Sequence, residues 1–267
     1  MSAVPTPLPR LDHVVIVVGA LADAGADFAA AGFTVTPGGR HDALPTENAL
    51  VCFADGSYLE LLAACDPETR EGLRERRAGP GWERHLRGAS AVARRFLPSL
   101  AGPDGVSDWV LLADRLTPVA ARLRSHDMSA AGPVRMGRER RDGERLEWEL
   151  LLPDAALLPF WISDRTPRDR RVPSAPEATT HANGARGIAA VRVRAPVVPA
   201  AALELGDALG LVPRAEAGLT VLDLKAVRVE VVEGEPAAVC GVRIAAPAGL
   251  PTGLQRLGVE AEAPGAS

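Results

Sequence analysis

The hydrophobic residues of this chain fall into short runs whose spacing predicts strands and helices in a fixed order. The continuous, β-branched run at residues 11–18 is typical of a buried strand. The alanine-rich segment at residues 21–31 predicts a helix that is terminated by Gly32. Three further strands are predicted at residues 33–36, about 48–53 and 57–62. Turns are predicted at Pro37-Gly38-Gly39 and at the hairpin pair Asp55-Gly56, which makes the order β-α-β-β-β.

The same order of elements returns later in the chain. A second unit is predicted from segments at residues 107–114, 116–126, 132–135, 145–151 and 159–162. A third unit has segments at residues 188–193, 199–209, 219–224 and 227–232, and a shortened fourth unit at residues 239–245, 252–257 and 259–261. The first strands of units one and two align without a gap when Val106–Leu116 is laid over Leu11–Leu21. This alignment puts Asp108 opposite His13.

The repetition predicts an α+β fold of tandem βαβββ modules that form half-open mixed β-barrels, with three full modules and one truncated module. One such module is too small to cover both faces of its sheet, so we expect modules one and two to pair, and module three to pair with the fourth. The predicted first domain covers residues 9–163, with modules at residues 9–65 and 106–163. The predicted second domain covers residues 187–263.

Two segments between the modules lack this pattern. Residues 66–105 are charged and rich in arginine, and Gly79-Pro80-Gly81 interrupts them. They predict a connector with one or two helices that runs over a surface. Residues 164–186 are rich in proline, arginine and threonine, which favours a linker between the two domains.

The composition narrows the class of protein. With 267 residues, 47% of them hydrophobic and 24% charged, the chain has the profile of an ordinary soluble globular protein. A net charge of −4 argues against a nucleic-acid partner, because such proteins usually carry a basic face. The longest apolar run, residues 14–22, is too short to span a bilayer, which argues against a membrane partner. Three widely spaced cysteines and the absence of a signal-peptide pattern in residues 1–9 predict a cytoplasmic protein.

Two ionisable residues lie inside strands that are predicted to be buried. His13 is near the start of one such strand and Glu60 is in the middle of another. Burying such groups is costly unless they are paired or bind a metal, so we expect both to face one concavity. An imidazole and a carboxylate suit zinc, nickel, manganese or iron(II), and an open coordination sphere would admit substrate oxygens. The alternative is that His13 donates to a backbone carbonyl and that Glu60 forms an ion pair or faces solvent.

Further candidates surround this pair. His41 follows the predicted turn and is interpreted as a third ligand, a catalytic base or a substrate donor, or else as an exposed turn histidine. Asp108 is either an oxygen ligand or substrate contact in place of the missing histidine, or a cap at a strand edge. Trp148 and Trp161, with Trp109, supply either an apolar wall for a substrate or ordinary core packing.

Other polar features have plainer interpretations. Glu230 is expected in an exposed cross-strand ion pair, and His181 in a structural role within the linker. The Gly38-Gly39-Arg40 turn is interpreted as a hairpin turn in preference to an anion site. Two groups of arginines predict solvated faces, or a contact in a homodimer: residues 74, 76 and 77, and residues 138, 140 and 141.

Several segments resemble a glyoxalase-like domain family of the vicinal oxygen chelate superfamily. They are Leu11-Asp12-His13-Val14-Val15, residues 32–41, Thr46-Glu47-Asn48-Ala49-Leu50, Tyr58-Leu59-Glu60-Leu61, Arg145-Leu146-Glu147-Trp148, Leu158-Pro159-Phe160 and His181-Ala182-Asn183-Gly184. The resemblance covers residues 9–185 well and the remainder through the βαβββ pattern. Asn48 lies in one of these segments and is added to the expected substrate contacts.

The resemblance implies paired modules that cup a divalent metal between a histidine on the first strand and a glutamate on the fourth strand of each module. His13 and Glu60 match these positions in the first module. In the second module Asp108 stands at the histidine position, and the fourth-strand position falls near Trp161 or Ser163. The third unit has Ala189 and Glu230 there, so the implied set of four ligands is incomplete.

Three functions follow as hypotheses. The first is a metal-dependent enzyme that acts on a small oxygenated molecule by isomerisation, lyase chemistry or ring opening, with Glu60 and His41 as catalytic groups. The second is a metal-free protein that binds and sequesters a small hydrophobic ligand, as antibiotic-binding relatives in the superfamily do. The third is a structural or regulatory partner protein with an empty cup.

Overall fold

The computed structural model describes residues 8–140, 143–247 and 249–262. The first module comprises β1 (Arg10–Val17), α1 (Leu21–Ala30), β2 (Thr36–Arg40), β3 (Thr46–Cys52) and β4 (Tyr58–Ala64). The connector holds α2 (Pro67–Ala78), α3 (Trp82–Gly88) and α4 (Ala91–Leu100). The second module comprises β5 (Gly105–Leu112), α5 (Leu116–Ser125), β6 (Ala130–Glu139), β7 (Arg145–Pro153) and β8 (Phe160–Asp164).

The rest of the chain repeats the pattern in a shorter form. Two short helices follow β8, namely α6 (Arg168–Arg171) and α7 (Pro176–Thr179). The third module comprises β9 (Ile188–Ala195), α8 (Val198–Leu209), β10 (Arg214–Glu216), β11 (Leu219–Asp223) and β12 (Arg228–Glu233). The truncated module comprises β13 (Ala238–Ala245), α9 (Thr252–Arg256) and β14 (Val259–Glu262). No helix in the described ranges is long and apolar enough to cross a membrane.

The first sheet joins modules one and two in the order β2-β3-β4-β1-β5-β8-β7-β6. β1 pairs in parallel with β4 and antiparallel with β5, so the modules meet at their first strands. The β1–β5 register is symmetric about the pair of Val14 and Trp109. The pairs on either side of it are His13 with Val110 and Val15 with Asp108. This approximate twofold relation exchanges His13 with Asp108, as the sequence alignment predicts.

The second sheet joins module three and the truncated module in the order β10-β11-β12-β9-β13-β14. Its centre repeats the arrangement of the first sheet, because β9 pairs in parallel with β12 and antiparallel with β13. Val191 and Val242 take the places of Val14 and Trp109 at the centre of the register. The predicted α+β fold of tandem βαβββ modules in half-open barrels is therefore confirmed.

Apolar side chains cover both faces of the first sheet. On one face, residues of β1 and β5 pack with α1, α5 and the interior of the second sheet, including Val14, Trp109, Phe28, Leu123 and Val191. On the other face, residues of β1, β5 and β8 pack with α4, including Val15, Val110, Phe160, Val92 and Leu100. Each side chain buried in this way stabilises the fold by about 1.5–3 kcal/mol. The second of these faces is the concave one.

The edge strand β2 corrects one prediction from the sequence. Residues 33–36 were expected as a strand with a turn at Pro37-Gly38-Gly39, but β2 runs through that segment from Thr36 to Arg40. It pairs with β3, and the register shifts between Pro37 and Arg40. Because β2 is the outermost strand, it tolerates a proline and glycines that a central strand would not. The Gly38-Gly39-Arg40 segment is therefore part of an edge strand and not a hairpin turn.

The two segments between modules are more structured than predicted. The connector holds three helices where one or two were expected, because Asp66 and Ser90 each cap a separate helix by accepting from a backbone N–H. The segment after β8 carries two short helices, and Arg171 and His181 within it are buried. Their side chains bind to the first module, so this segment packs onto the sheet.

Candidate functional site

The concave face of the first sheet forms an open cup with about 70 Å³ of interior space. Its wall is apolar and aromatic, with contributions from Leu50, Leu62, Phe96, Trp148, Leu150 and Phe160. Polar side chains gather in one region of the lining, from His13, His41, Asn48, Glu60 and Arg138. An apolar cavity with a few convergent polar groups is the usual form of a small-molecule site.

His13 and Glu60 lie together in this cup. β1 and β4 run in parallel with Val15 opposite Glu60, and His13 is two residues before Val15, so both side chains point to the same face. The His13 Nε2 atom is 3.3 Å from Glu60 Oε2. Both side chains are largely buried, at 3% and 9% exposure. The structure therefore brings together the pair that the sequence analysis singled out.

Asp12 fixes the orientation of the His13 ring. Its Oδ2 atom is 2.8 Å from His13 Nδ1, and the ring stacks on Tyr58 with 4.5 Å between centroids. This leaves Nε2 directed at Glu60. The Asp12 carboxylate is fully buried, and its charge is balanced by Arg168 at 2.7 Å and by Arg171 at 3.2 Å.

These contacts set the charge of the pair. Although burial opposes the charged form, hydrogen bonds to Asp12 and Glu60 raise the pKa of His13 above its usual range. Burial would likewise raise the pKa of Glu60, but the hydrogen bond and charge of His13 lower it to about 2. Both pKa shifts favour the ion-paired form of the two side chains.

His41 is a second imidazole directed at Glu60. It follows β2, and its Nδ1 atom is 3.0 Å from Thr46 Oγ1, which leaves Nε2 3.7 Å from Glu60 Oε1. Its side chain is only 14% exposed, so the alternative of an exposed turn histidine is wrong. Burial lowers the pKa of His41, which makes it an uncharged imidazole near neutral pH.

Asn48 holds the Glu60 carboxylate in place. Its Nδ2 atom donates to Glu60 Oε1 at 2.6 Å, and its Oδ1 atom accepts from the Gly39 N–H at 3.0 Å. Gly38 makes room for this amide, because a Cβ there would stand 1.9 Å from Asn48 Oδ1. The two glycines that were interpreted as a turn thus shape the site from the edge strand.

Arg138 also belongs to the site and was missed from the sequence. It was grouped with solvated arginines, yet only 4% of its surface is exposed and it lines the cup. Arg138 could have been identified from the alternation of inward side chains along β6, because Val134 and Met136 pack inward at every second position before it. The prediction placed only residues 132–135 in a strand and so did not extend the alternation far enough.

The second module offers no matching pair of donors. Asp108 is the twofold mate of His13, but both its oxygens bind Arg95 of α4, at 2.6 and 2.8 Å, and it does not line the cup. The mate of Glu60 is Phe160, because Val110 pairs with Phe160 as Val15 pairs with Glu60. The position that was predicted near Trp161 or Ser163 is therefore occupied by Phe160, one residue before Trp161.

The tryptophans divide between the two faces of the sheet. Trp148 lines the cup and meets the His41 ring edge-on, with 6.4 Å between ring centroids. Trp161 and Trp109 lie in the apolar core on the opposite face. Neither lines the cup, so Trp161 is placed where it would not contact a substrate there.

The third module has no counterpart of the His13–Glu60 pair. The register aligns Glu230 with Glu60 and Ala190, not Ala189, with His13. Glu230 was expected in an exposed ion pair, but it is completely buried. Arginines surround it at 3.2 to 3.4 Å, namely Arg192, Arg228 and Arg243. His181, in contrast, has the expected structural role, because its ring bridges the Thr34 N–H and the Cys52 carbonyl.

The donor chemistry of the cup fits a divalent transition metal. Two imidazoles and one carboxylate are ligands that such ions accept, and this set leaves coordination positions open. Each histidine is held through Nδ1 by an oxygen atom, which is the usual support of a metal-binding histidine. His13 and Glu60 touch each other directly, and in the described ranges no group of three or more His, Cys, Asp or Glu side chains is arranged to hold a metal ion. The match to a metal ion therefore lies in the chemistry of the donor atoms and in the contacts that orient the two histidine rings.

This chain is similar to a known protein family and to several solved structures. The sequence profile of the family described as "Glyoxalase-like domain" matches residues 11–209. No curated protein matches this chain significantly. Among solved structures, a hypothetical protein from Staphylococcus aureus is similar over 96% of this chain and 100% of its own, with 17% identity and a TM-score of 0.71.

Two larger proteins share the fold at lower similarity. A mutant of 4-hydroxymandelate synthase from Streptomyces coelicolor is similar over 91% of this chain and 72% of its own, with 10% identity and a TM-score of 0.55. A xylose isomerase-like TIM barrel/4-hydroxyphenylpyruvate dioxygenase fusion protein is similar over 92% of this chain, with 12% identity and a TM-score of 0.52. This chain spans 38% of the length of that fusion protein.

Proposed function

Since this chain belongs to the glyoxalase-like domain family, we propose that it is an enzyme for a small oxygenated molecule, with a divalent metal ion held in the cup by His13 and Glu60. One observation carries the proposal. Two imidazoles, each fixed through Nδ1 by an oxygen atom, direct Nε2 at the same carboxylate in an apolar cavity.

The side chains of the cup have separate roles in binding. Asp12 and Tyr58 keep the His13 ring in one orientation, and Asn48 keeps the Glu60 carboxylate turned towards it. An ion bound at these two residues would polarise a substrate oxygen as a Lewis acid. The apolar wall, which includes Phe160 and Trp148, excludes water and so strengthens these polar interactions.

His41 supplies an uncharged nitrogen at the same place. Its Nε2 lone pair serves either as a third donor to the ion or as the acceptor of a substrate proton, as isomerase and lyase chemistry requires. The two roles are separable. If His41→Gln loses the ion, His41 is a ligand; if the ion stays and turnover is lost, His41 is a base.

Metal analysis of the purified protein tests the proposal. The protein is stripped with a chelator, reloaded with zinc, nickel, manganese or iron(II) in turn, dialysed and assayed for bound metal. We expect one ion per chain in the native protein and a loss of that ion in His13→Ala and Glu60→Gln. His126→Ala is the matched control, because this histidine lies away from the cup and its side chain is 40% exposed. Native protein without stoichiometric metal, or unchanged metal in Glu60→Gln, would refute the metal site.

A second function is favoured by one specific observation. His13 and Glu60 neutralise each other directly at 3.3 Å, and their mates in the second module are a salt-bridged Asp108 and an apolar Phe160. A cup of this kind binds a small molecule without an ion. Under this alternative, ligand affinity is the same before and after treatment with a chelator.

A further inference from the structure

The Arg138 guanidinium is buried in the lining of the cup without all of its hydrogen-bond partners. Its Nη2 atom donates to the Arg171 carbonyl oxygen at 3.4 Å. Its Nη1 atom is buried and has no hydrogen-bond partner within the described ranges. A buried donor left unsatisfied is destabilising, and more so when the group is charged. A native site that keeps such a group calls for an explanation.

The neighbouring carboxylates are already engaged. Glu60 accepts from Asn48 through Oε1 and contacts His13 through Oε2. Asp12 is bound by His13 and by two arginines at 2.7 and 3.2 Å. Burial lowers the pKa of Arg138, although the charge of Glu60 opposes that shift. A molecule bound in the cup would supply an acceptor for Nη1.

The space beside this guanidinium is kept open by a glycine. A Cβ at Gly39 would lie 3.0 Å from Arg138 Nη1 and 3.2 Å from the Glu139 carbonyl oxygen. Arg138 and Arg171 line both the cup and an adjoining surface groove, to which two more arginines and Asp169 contribute. Arg171 is paired with Asp12 and Asp164, and Arg140 and Arg170 both contact Glu144. Among the described contacts of this group, Arg138 is thus the arginine without a carboxylate partner and is available to an anionic ligand.

We propose that Arg138 binds the anionic group of the substrate, so that the cup selects small carboxylates with an apolar body. A carboxylate offers only acceptors and suits a guanidinium donor, while the aromatic wall accommodates the apolar part. The inference rests on the proposed function in one respect, which is that the cup takes a small molecule. It does not require the metal ion.

Binding of a matched pair of probes to chelator-treated protein tests this inference. Phenylacetate and phenylacetamide have nearly the same shape and differ in charge, and calorimetry gives the affinity of each. We expect the native protein to prefer phenylacetate about tenfold or more, the effect of one charge-assisted hydrogen bond. Arg138→Gln should lose the preference. Arg135→Gln should keep it, because Arg135 lies on the same strand with its side chain 82% exposed.

Arg138→Met guards against a folding defect. Its apolar side chain leaves no buried donor unsatisfied, so the variant should melt no lower than the native protein while losing the preference for the carboxylate. Equal affinity for both probes in the native protein, no binding of either, or a preference retained in both Arg138 variants would overturn the inference. Stoichiometric metal without carboxylate preference refutes this inference alone, and carboxylate preference without metal refutes the metal site alone.

Discussion

His41 pairs through its backbone with Arg138, and this isolated bridge joins β2 and β6, the two edge strands of the eight-stranded sheet. Both side chains line the cup. The junction that brings the ends of the sheet together therefore also places an imidazole of the first module beside a guanidinium of the second. The site combines the two modules, although the second module contributes no match to His13 and Glu60.

Gly38→Ala should damage the site from the edge strand. Its Cβ would stand 1.9 Å from Asn48 Oδ1, so the amide must move away from Glu60. We expect a loss of about 1–3 kcal/mol in the free energy of unfolding, measured in urea, together with weaker metal binding. Gly72→Ala is the control, because nothing lies within 4 Å of that Cβ and alanine favours its helix. A Gly38→Ala protein as stable as the native one would show that Asn48 is not held as described.

Asp12→Asn should lower both the stability of the protein and its affinity for a metal ion. The substitution removes the carboxylate that binds Arg168 and His13, and breaking a buried ion pair typically costs about 3–5 kcal/mol. Arg171 keeps Asp164 as a partner at 2.6 Å. It also weakens the support of the His13 ring, which commonly lowers metal affinity by about 10–100-fold. Urea unfolding and metal titration measure the two effects. Asp27→Asn, at an exposed position of α1, should show neither, and a fully stable Asp12→Asn protein would contradict the argument.

Asp108→Asn should lower stability without changing the bound metal. Its carboxylate neutralises Arg95 through two short contacts, so its removal leaves that guanidinium buried and unpaired. We expect a loss of about 3–5 kcal/mol in urea unfolding. Because Asp108 does not line the cup, metal content should equal that of the native protein. Loss of metal in a folded Asp108→Asn protein would make Asp108 a ligand after all.

Trp148 should report on ligand binding by its fluorescence. It lines the cup beside His41, whereas Trp161 lies in the core on the opposite face of the sheet. Phenylacetate entering the cup should therefore change the emission of the native protein and of Trp161→Phe. The change should disappear in Trp148→Phe. An unchanged response in Trp148→Phe would mean that the probe binds elsewhere.

The module repeat was readable in the sequence because strands and helices leave periodic hydrophobic patterns. The gap-free alignment of the first strands of modules one and two has its counterpart in the symmetric register about Val14 and Trp109. His13 and Glu60 stood out because an ionisable group in a buried strand has few explanations. Local hydrophobic patterns and the cost of burying charge were therefore sufficient to predict the module repeat and the His13–Glu60 pair.

The remaining site residues depend on contacts between distant parts of the chain. The alternation along β6 indicates that Arg138 points inward, but Arg138 reaches the site only because the curled sheet brings β6 next to His41. Arg171 likewise binds a carboxylate far away in sequence, at Asp12. The amino-acid sequence by itself determined the modules and the central His13–Glu60 pair, because both follow from periodicity and the cost of burying charge. Only the tertiary structure decided which of these charges are neutralised and that Arg138, among the described residues that line the cup, has no carboxylate partner, because that depends on the closure of the sheet.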